Sequence, residues 1–177
     1  MGRKEELVWP NLIKILKVSG VEYVVIDCEH GSFDFSQLAN LVAMGNALDL
    51  PIIIRIPSNS SEWILKSLEM GADGLLPPVT NTPELIKAAV EYGKYPPEGI
   101  RGLATVRPHN GYNMPDLKKY LVDANKRTMI FGQIETREAL ENCNDIIAVE
   151  GADGLFIGPI DLSVNLGIPG ELSNPIP

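Results

Sequence analysis

The sequence predicts an α/β fold with a parallel sheet, and two observations predict it. Continuous apolar runs of strand length recur along the 177 residues, each preceded by a helix-like segment and a short polar turn. Such runs read as strands covered on both faces, which helical crossovers provide. Glycine also recurs at the junctions: Gly71-Ala72-Asp73-Gly74-Leu75 reappears word for word as Gly151-Ala152-Asp153-Gly154-Leu155. A glycine just past a helix takes the left-handed conformation that other residues resist, and so stops the helix before a strand.

The elements follow in order. Asn11 to Val18 reads as a helix ending at Ser19-Gly20, and Tyr23 to Asp27 as the first strand. Ser36 stands as a candidate cap for a helix over Gln37 to Leu48, and Ile52 to Ile56 forms the second strand. Ser61 to Met70, stopped by Gly71, leads into a strand from Gly74 to Pro77. Thr82-Pro83-Glu84 offers a capping hydroxyl, a proline at the first helical position and an early carboxylate, ahead of Leu85 to Tyr92 and Gly93. A long irregular stretch from Tyr95 to Tyr112 precedes another helix, and loops of this length inside a domain are usually functional. Thr128 to Ile134 is the fourth strand, Thr136 to Val149 one helix, and Gly154 to Gly158 the fifth strand. The tail from Gly167 to Pro177 is rich in Gly and Pro and reads as extended.

Composition bounds the function. The chain has 45% apolar residues, 15 Lys plus Arg and 23 Asp plus Glu, giving a net charge of −8. An apolar fraction in the globular range argues for one ordered domain over 1–177. The acidic balance, without basic runs, argues against nucleic acid and anionic membrane as partners. No apolar run approaches the ~20 residues of a membrane span, and the charged start, Met1 to Glu6, lacks a secretory apolar region. Cys28 and Cys143 match no metal or redox spacing, so a reduced cytoplasmic protein is expected.

Polar residues gather where the strands end. The first ends in Asp27-Cys28-Glu29-His30-Gly31 and the second carries Arg55; the third ends in Pro77-Pro78. The fourth carries Gln133-Ile134-Glu135-Thr136, and the fifth Gly158-Pro159-Ile160-Asp161. The C-terminal edge of a parallel sheet is where ligands bind. Glu135 and Asp161 are the best metal pair, and carboxylates with little histidine favour a hard divalent ion such as Mg²⁺ or Mn²⁺. Taken singly, each could instead cap a helix or pair with an arginine. Arg55 could bind a carboxylate or stabilise a developing enolate oxygen, and it could equally pair with Asp27 or Glu29. His30, beside two acids, suits a general base. His109 reads as a solvated loop residue, Cys28 as a small apolar filler and Trp63 as helix packing. No lysine falls in a strand to form a Schiff base. Nucleotide-binding glycine motifs and a G-x-S-x-G elbow are absent, so no nucleotide cofactor is expected.

Four co-linear segments carry a resemblance: Asp27 to Gly31, Tyr95-Pro96-Pro97-Glu98-Gly99-Ile100-Arg101-Gly102, Gln133 to Thr136, and Phe156-Ile157-Gly158-Pro159-Ile160-Asp161-Leu162-Ser163. In order and spacing, from about Leu12 to Gly170, the chain resembles the HpcH/HpaI aldolase family. The resemblance implies a (β/α)₈ barrel that cleaves 4-hydroxy-2-oxo acids reversibly to pyruvate and an aldehyde. It implies that Glu135 and Asp161 ligate Mg²⁺, Mn²⁺ or Co²⁺. Gln133 and the backbone near Gly158 and Ile160 would hold the pyruvyl group, and Arg55 would stabilise the enolate. His30, tied to Asp27, would move the proton, with Glu29 in support. It further implies a homo-oligomer, trimeric or hexameric. The five strands would be the second to the sixth of eight, with no counterpart of the first in Met1 to Trp9 and the last two beyond Pro177. The rival expectations are a catalytically silent barrel piece that needs a partner chain, and a lyase for CoA thioesters, which would need a cationic CoA site that the sequence does not display.

Overall fold

Five short apolar runs form the sheet: β1 Val24–Asp27, β2 Ile52–Arg55, β3 Gly74–Leu76, β4 Met129–Ile134 and β5 Gly154–Ile157. They come from a computed structural model that describes residues 9–173. All neighbours are parallel, in the order β1-β2-β3-β4-β5, which is also their order in the chain. The crossovers are helical: α1 Asn11–Val18 precedes β1, then come α2 Phe35–Ala47, α3 Ser61–Glu69, α4 Pro83–Gly93 and α5 Leu117–Arg127. α6 Arg137–Glu141 and α7 Cys143–Ile147 join β4 to β5, and α8 Pro159–Asn165 follows. Sequential parallel strands with one crossover hand put every helix on the same side of the sheet, as in the wall of a β/α barrel.

Side-chain alternation then separates two environments. Ile26, Ile52, Ile54, Leu75, Ile130 and Ile134 face the helices and share one core with Leu38, Val42, Ile64, Leu68 and Ile86. Each such side chain contributes roughly 1.5–3 kcal/mol by burial. The alternate residues point the other way: Val25, Ile53, Leu76, Phe131 and Phe156 line an apolar cavity of about 430 Å³ on the inner face. Continuing along the same faces, Asp27, Arg55 and Gln133 occupy the C-terminal edge. The second face is therefore less thoroughly covered than the apolar runs suggest, with Phe156 exposed there.

The repeated pentapeptide does the same work twice. Asp73 Oδ2 accepts from Ile52 N at 2.9 Å while Asp73 N donates to Ile52 O at 2.8 Å. Asp153 repeats both bonds on Ile130, each at 2.8 Å. Gly71 and Gly151, at φ +96° and +89°, make the turn that delivers these aspartates.

Several boundaries differ from expectation, each for a local reason. Asp34, not Ser36, caps α2: its carboxylate accepts from Gln37 N at 2.8 Å, and Gln37 Oε1 accepts from Asp34 N at 3.0 Å. The Thr82 hydroxyl does not cap α4; it serves the Glu84 carboxylate instead. The helix expected over Thr136 to Val149 breaks at Asn142, whose Nδ2 donates to Asn81 O at 2.9 Å. α8 begins at Pro159, where the sequence reading placed only a polar strand end. The expectations for Met1 to Val8, and for the tail beyond Ser173, lie outside the described residues. Among the described residues no helix is long and apolar enough to cross a membrane.

Candidate active site

Asp27 and Arg55 are partners in the β1–β2 register and lie side by side at the sheet's C-terminal edge. Arg55 Nε donates to Asp27 Oδ1 at 2.9 Å and its Nη2 bonds Oδ2, a two-pronged pairing of guanidinium with carboxylate. Arg55 Nη1 also lies 3.1 Å from Glu29 Oε2. Asp27 Oδ1 accepts from the main-chain N–H of Glu29 at 3.0 Å and of His30 at 3.2 Å, which turns the chain sharply after β1. Burial pushes the Asp27 pKa up, but the Arg55 hydrogen bond, the two N–H groups and the Arg55 charge together hold it below the usual carboxylate range. Burial raises Glu29, only partly offset by Arg55, with the nearby Glu135 charge acting in the same direction as burial. The ion pair considered as an alternative task for Arg55 is thus present, with both acids at once.

Gln133 and Glu135 close β4, both buried. Glu135 Oε2 accepts from Gln133 Nε2 at 2.6 Å, and Glu135 Oε1 accepts from Val79 N at 2.8 Å. Val79 reaches that oxygen with φ +46°, a conformation costly for a β-branched residue and found where surrounding structure enforces it. Thr80 secures the segment: its N–H donates to Gln133 O at 3.0 Å and its Oγ1 accepts from Gln133 N at 3.2 Å. Sequence reasoning missed Val79 and Thr80; their one signal was the Pro77-Pro78 strand end just before them.

Two adjoining clefts gather the predicted residues. Asp27, Arg55, Gln133, Gly158, Ile160 and Asp161 line one of about 350 Å³. Glu29, His30, Glu135 and Asp161 line the next, of about 270 Å³, so Asp161 borders both. Its place is the first turn of α8. A Cβ on Gly158 would come within 3.1 Å of Glu135 Oε2, so glycine there keeps the carboxylate open to the cleft. His30 sits apart from expectation in one respect. Its ring, two-thirds exposed, faces Glu29 at 4.0 Å, and only its main-chain N–H reaches Asp27.

The donor set admits a hard divalent cation. Among the described residues no group of three or more His, Cys, Asp and Glu converges as a self-sufficient metal site. Mg²⁺-type ions, however, take one or two carboxylates and complete their shell with water and substrate oxygens. Glu135 and Asp161 offer two such carboxylates, and Gln133 Oε1 is buried beside them with no hydrogen-bond partner. A buried orphan acceptor at a cleft calls for a ligand or water donor.

Sequentially wound parallel strands with acids, an arginine and an amide at their C-terminal ends make the ligand-binding face of a β/α barrel. The chain belongs to the HpcH/HpaI aldolase/citrate lyase family, whose profile matches residues 7–175. It is 38% identical over 174 residues to a hydroxypyruvate/pyruvate aldolase of Deinococcus radiodurans, covering 94% of this chain and 61% of that protein. It is 34% identical over 167 residues to a 5-keto-4-deoxy-D-glucarate aldolase of Escherichia coli, covering 94% and 64%. The crystal structure of an HpcH/HpaI aldolase from Desulfitobacterium hafniense superposes with a TM-score of 0.93 at 29% identity, over 96% of this chain and 65% of the other. The chain therefore spans somewhat under two thirds of the length of these relatives.

Proposed function

We propose that this chain carries the catalytic face of a divalent-metal-dependent carbon–carbon lyase, which splits a 4-hydroxy-2-oxo acid reversibly into pyruvate and an aldehyde. The observation that carries this reading is the convergence on one sheet edge of Arg55, the open carboxylate of Glu135, the orphan oxygen of Gln133, and Asp161. The aldolase relatives support it. Glu135 and Asp161 are the residues that would hold Mg²⁺, Mn²⁺ or Co²⁺, and a bound ion supplies a Lewis acid that polarises the substrate's keto group.

The chain's own residues do the rest. Arg55 is fixed in advance by Asp27 and Glu29, so its positive charge costs no reorganisation as an enolate oxygen develops. Gln133 orients the pyruvyl group, and the backbone around Gly158 and Ile160 takes the substrate carboxylate. His30, at the mouth beside Glu29, exchanges protons with solvent and delivers them to the enolate carbon. Exposed Leu103 and Val106 in the long loop favour assembly as a homo-oligomer. A cytoplasmic location belongs to the same reading, since the spacing of Cys28 and Cys143 matches no metal or redox motif.

The test is exchange of pyruvate methyl protons in deuterated water. Exchange is expected with Mg²⁺ or Mn²⁺ and is lost with a chelator or in Glu135→Gln. No exchange from folded, metal-supplemented protein overturns the reading for this chain.

A further inference from the structure

At the opposite, N-terminal end of the sheet lies a cavity of about 430 Å³, bounded by Leu50, Ala72, Arg101, His109, Arg127 and Thr128. Arg101 reaches into it from the long loop and is only 6% exposed. Its guanidinium stacks on the Tyr95 ring, 4.5 Å from the centroid, yet Nε and Nη2 are buried without any hydrogen-bond partner. Those two atoms are the side-on fork by which arginine grips a planar or tetrahedral oxyanion. His109 stands beside it: Nδ1–H donates to Glu69 O at 3.3 Å, and the main chain at Ala104 attracts the other side of the ring. Arg127 brings a further positive charge, exposed at the rim.

Nothing in the described chain neutralises Arg101. Asp73 borders the cavity, but its Oδ2 is bound to Ile52 N; Asp49 is exposed, and neither lies within ion-pair distance of the guanidinium. Burial dominates and pushes the Arg101 pKa down; Tyr95, then Tyr120 and Glu69, attract the charge without pairing it, and Arg127 opposes them. A buried cation without a counter-ion is costly, and a bound anion removes that cost. The arginine is also rigidly presented. Arg101 N donates to Lys94 O at 2.9 Å, Lys94 Nζ donates to Asn125 O at 2.6 Å, and Asn125 exchanges two hydrogen bonds with the Tyr95 backbone. Gly99 lets the loop lie on α4, since a Cβ there would sit 2.5 Å from Glu91 O and from Lys94 O.

We infer that this cavity is a second ligand site, in which Arg101, His109 and Arg127 bind a phosphate group. One phosphate oxygen faces Arg101 Nε and a second faces Nη2, with the His109 ring lining the cavity beside them. The cavity falls in the size range of small-molecule pockets and holds more than an isolated phosphate, so the end group of a phosphomonoester fits as well as the free ion.

The inference is independent of the reaction at the other end and is tested without it. In ¹⁵N-labelled protein, titration with inorganic phosphate is expected to shift the Arg101 Nε–H and His109 ring signals saturably. Arg101→Lys, which loses the fork, is expected to weaken binding roughly tenfold, and His109→Gln and Arg127→Ala by about two- to fivefold each. The last two leave the buried arginine in place and keep the test decisive if Arg101→Lys fails to fold. Ethyl phosphate, run in parallel, separates the sources: equal or tighter binding identifies a phosphomonoester, and much weaker binding identifies the free ion. Shifts confined to Arg55, or Arg101 signals that phosphate does not move, overturn the inference.

Discussion

Two arginines sit at opposite ends of one sheet, and they differ in who completes them. Arg55 directs Nε and Nη2 at Asp27 and Nη1 at Glu29, so its counter-ions are built into the chain. Arg101 offers the same Nε and Nη2 to a cavity and is held by a tyrosine ring and a clasped loop. The first arrangement fixes a charge where the proposed reaction needs it and keeps it there. The second stores an unpaired charge, and so an affinity. Burial alone does not separate them; the occupancy of the fork does.

The contrast can be broken at several points. Glu135→Gln is expected to have the largest effect, cutting metal-dependent proton exchange by about 10³-fold, since it removes a proposed metal ligand worth several kcal/mol to the charged transition state. Arg55→Lys is expected to lower exchange by about 10²-fold, measured in the same assay. Arg101→Lys should leave exchange within about twofold while weakening phosphate binding; a large loss of exchange would mean that the two ends are coupled. Asp27→Asn should destabilise the protein by about 1 kcal/mol at pH 7, discounted for the partial exposure of the carboxylate, as read by denaturant melts. Because the folded pKa of Asp27 lies below 3.8, that stabilisation is full above 3.8 and disappears as pH falls through the folded value. The difference between wild type and Asp27→Asn should close in strong acid.

His109 gives the smallest effect and sharpens the far end. Burial first, then the Arg101 charge, hold its pKa below 6.5. Stability from the neutral ring is therefore complete above pH 6.5 and is lost as pH falls from there through the folded value. Thermal melts should show wild type losing stability in that window and His109→Gln losing less, by under about 1 kcal/mol. Phosphate, which compensates the cationic cavity, should flatten the wild-type decline.

The sheet was legible because each strand is a continuous apolar run, and the site was legible because each run ends in a residue that does not belong in one. Arg55 within Ile54-Arg55-Ile56 is costly unless paired or used, and the sequence offers both Asp27 and Glu29 to pair it. The less legible parts depend on neighbours distant in the chain. Asn142 breaks a helix because Asn81 is there to receive it. His109 looks like a solvated loop residue until Glu69 and Arg101 close over it. Arg101, flanked by Ile100 and Gly102 in a turn-rich stretch, carries no local sign of burial. It stood in a family motif with no task assigned, and only the clasp of α4, α5 and the loop shows where its charge points.

The clasp formed by Asp73 on Ile52, and again by Asp153 on Ile130, has a consequence for how the wall is assembled. Both bonds are made at the first rung, by a residue standing just before its own strand and reaching back to a strand already synthesised. Alignment of each strand with its predecessor is thus pinned at the first rung, using nothing that lies further along the chain. A one-residue slip would forfeit both bonds and turn every following side chain to the wrong face. A wall built this way can be lengthened by copying the same five letters.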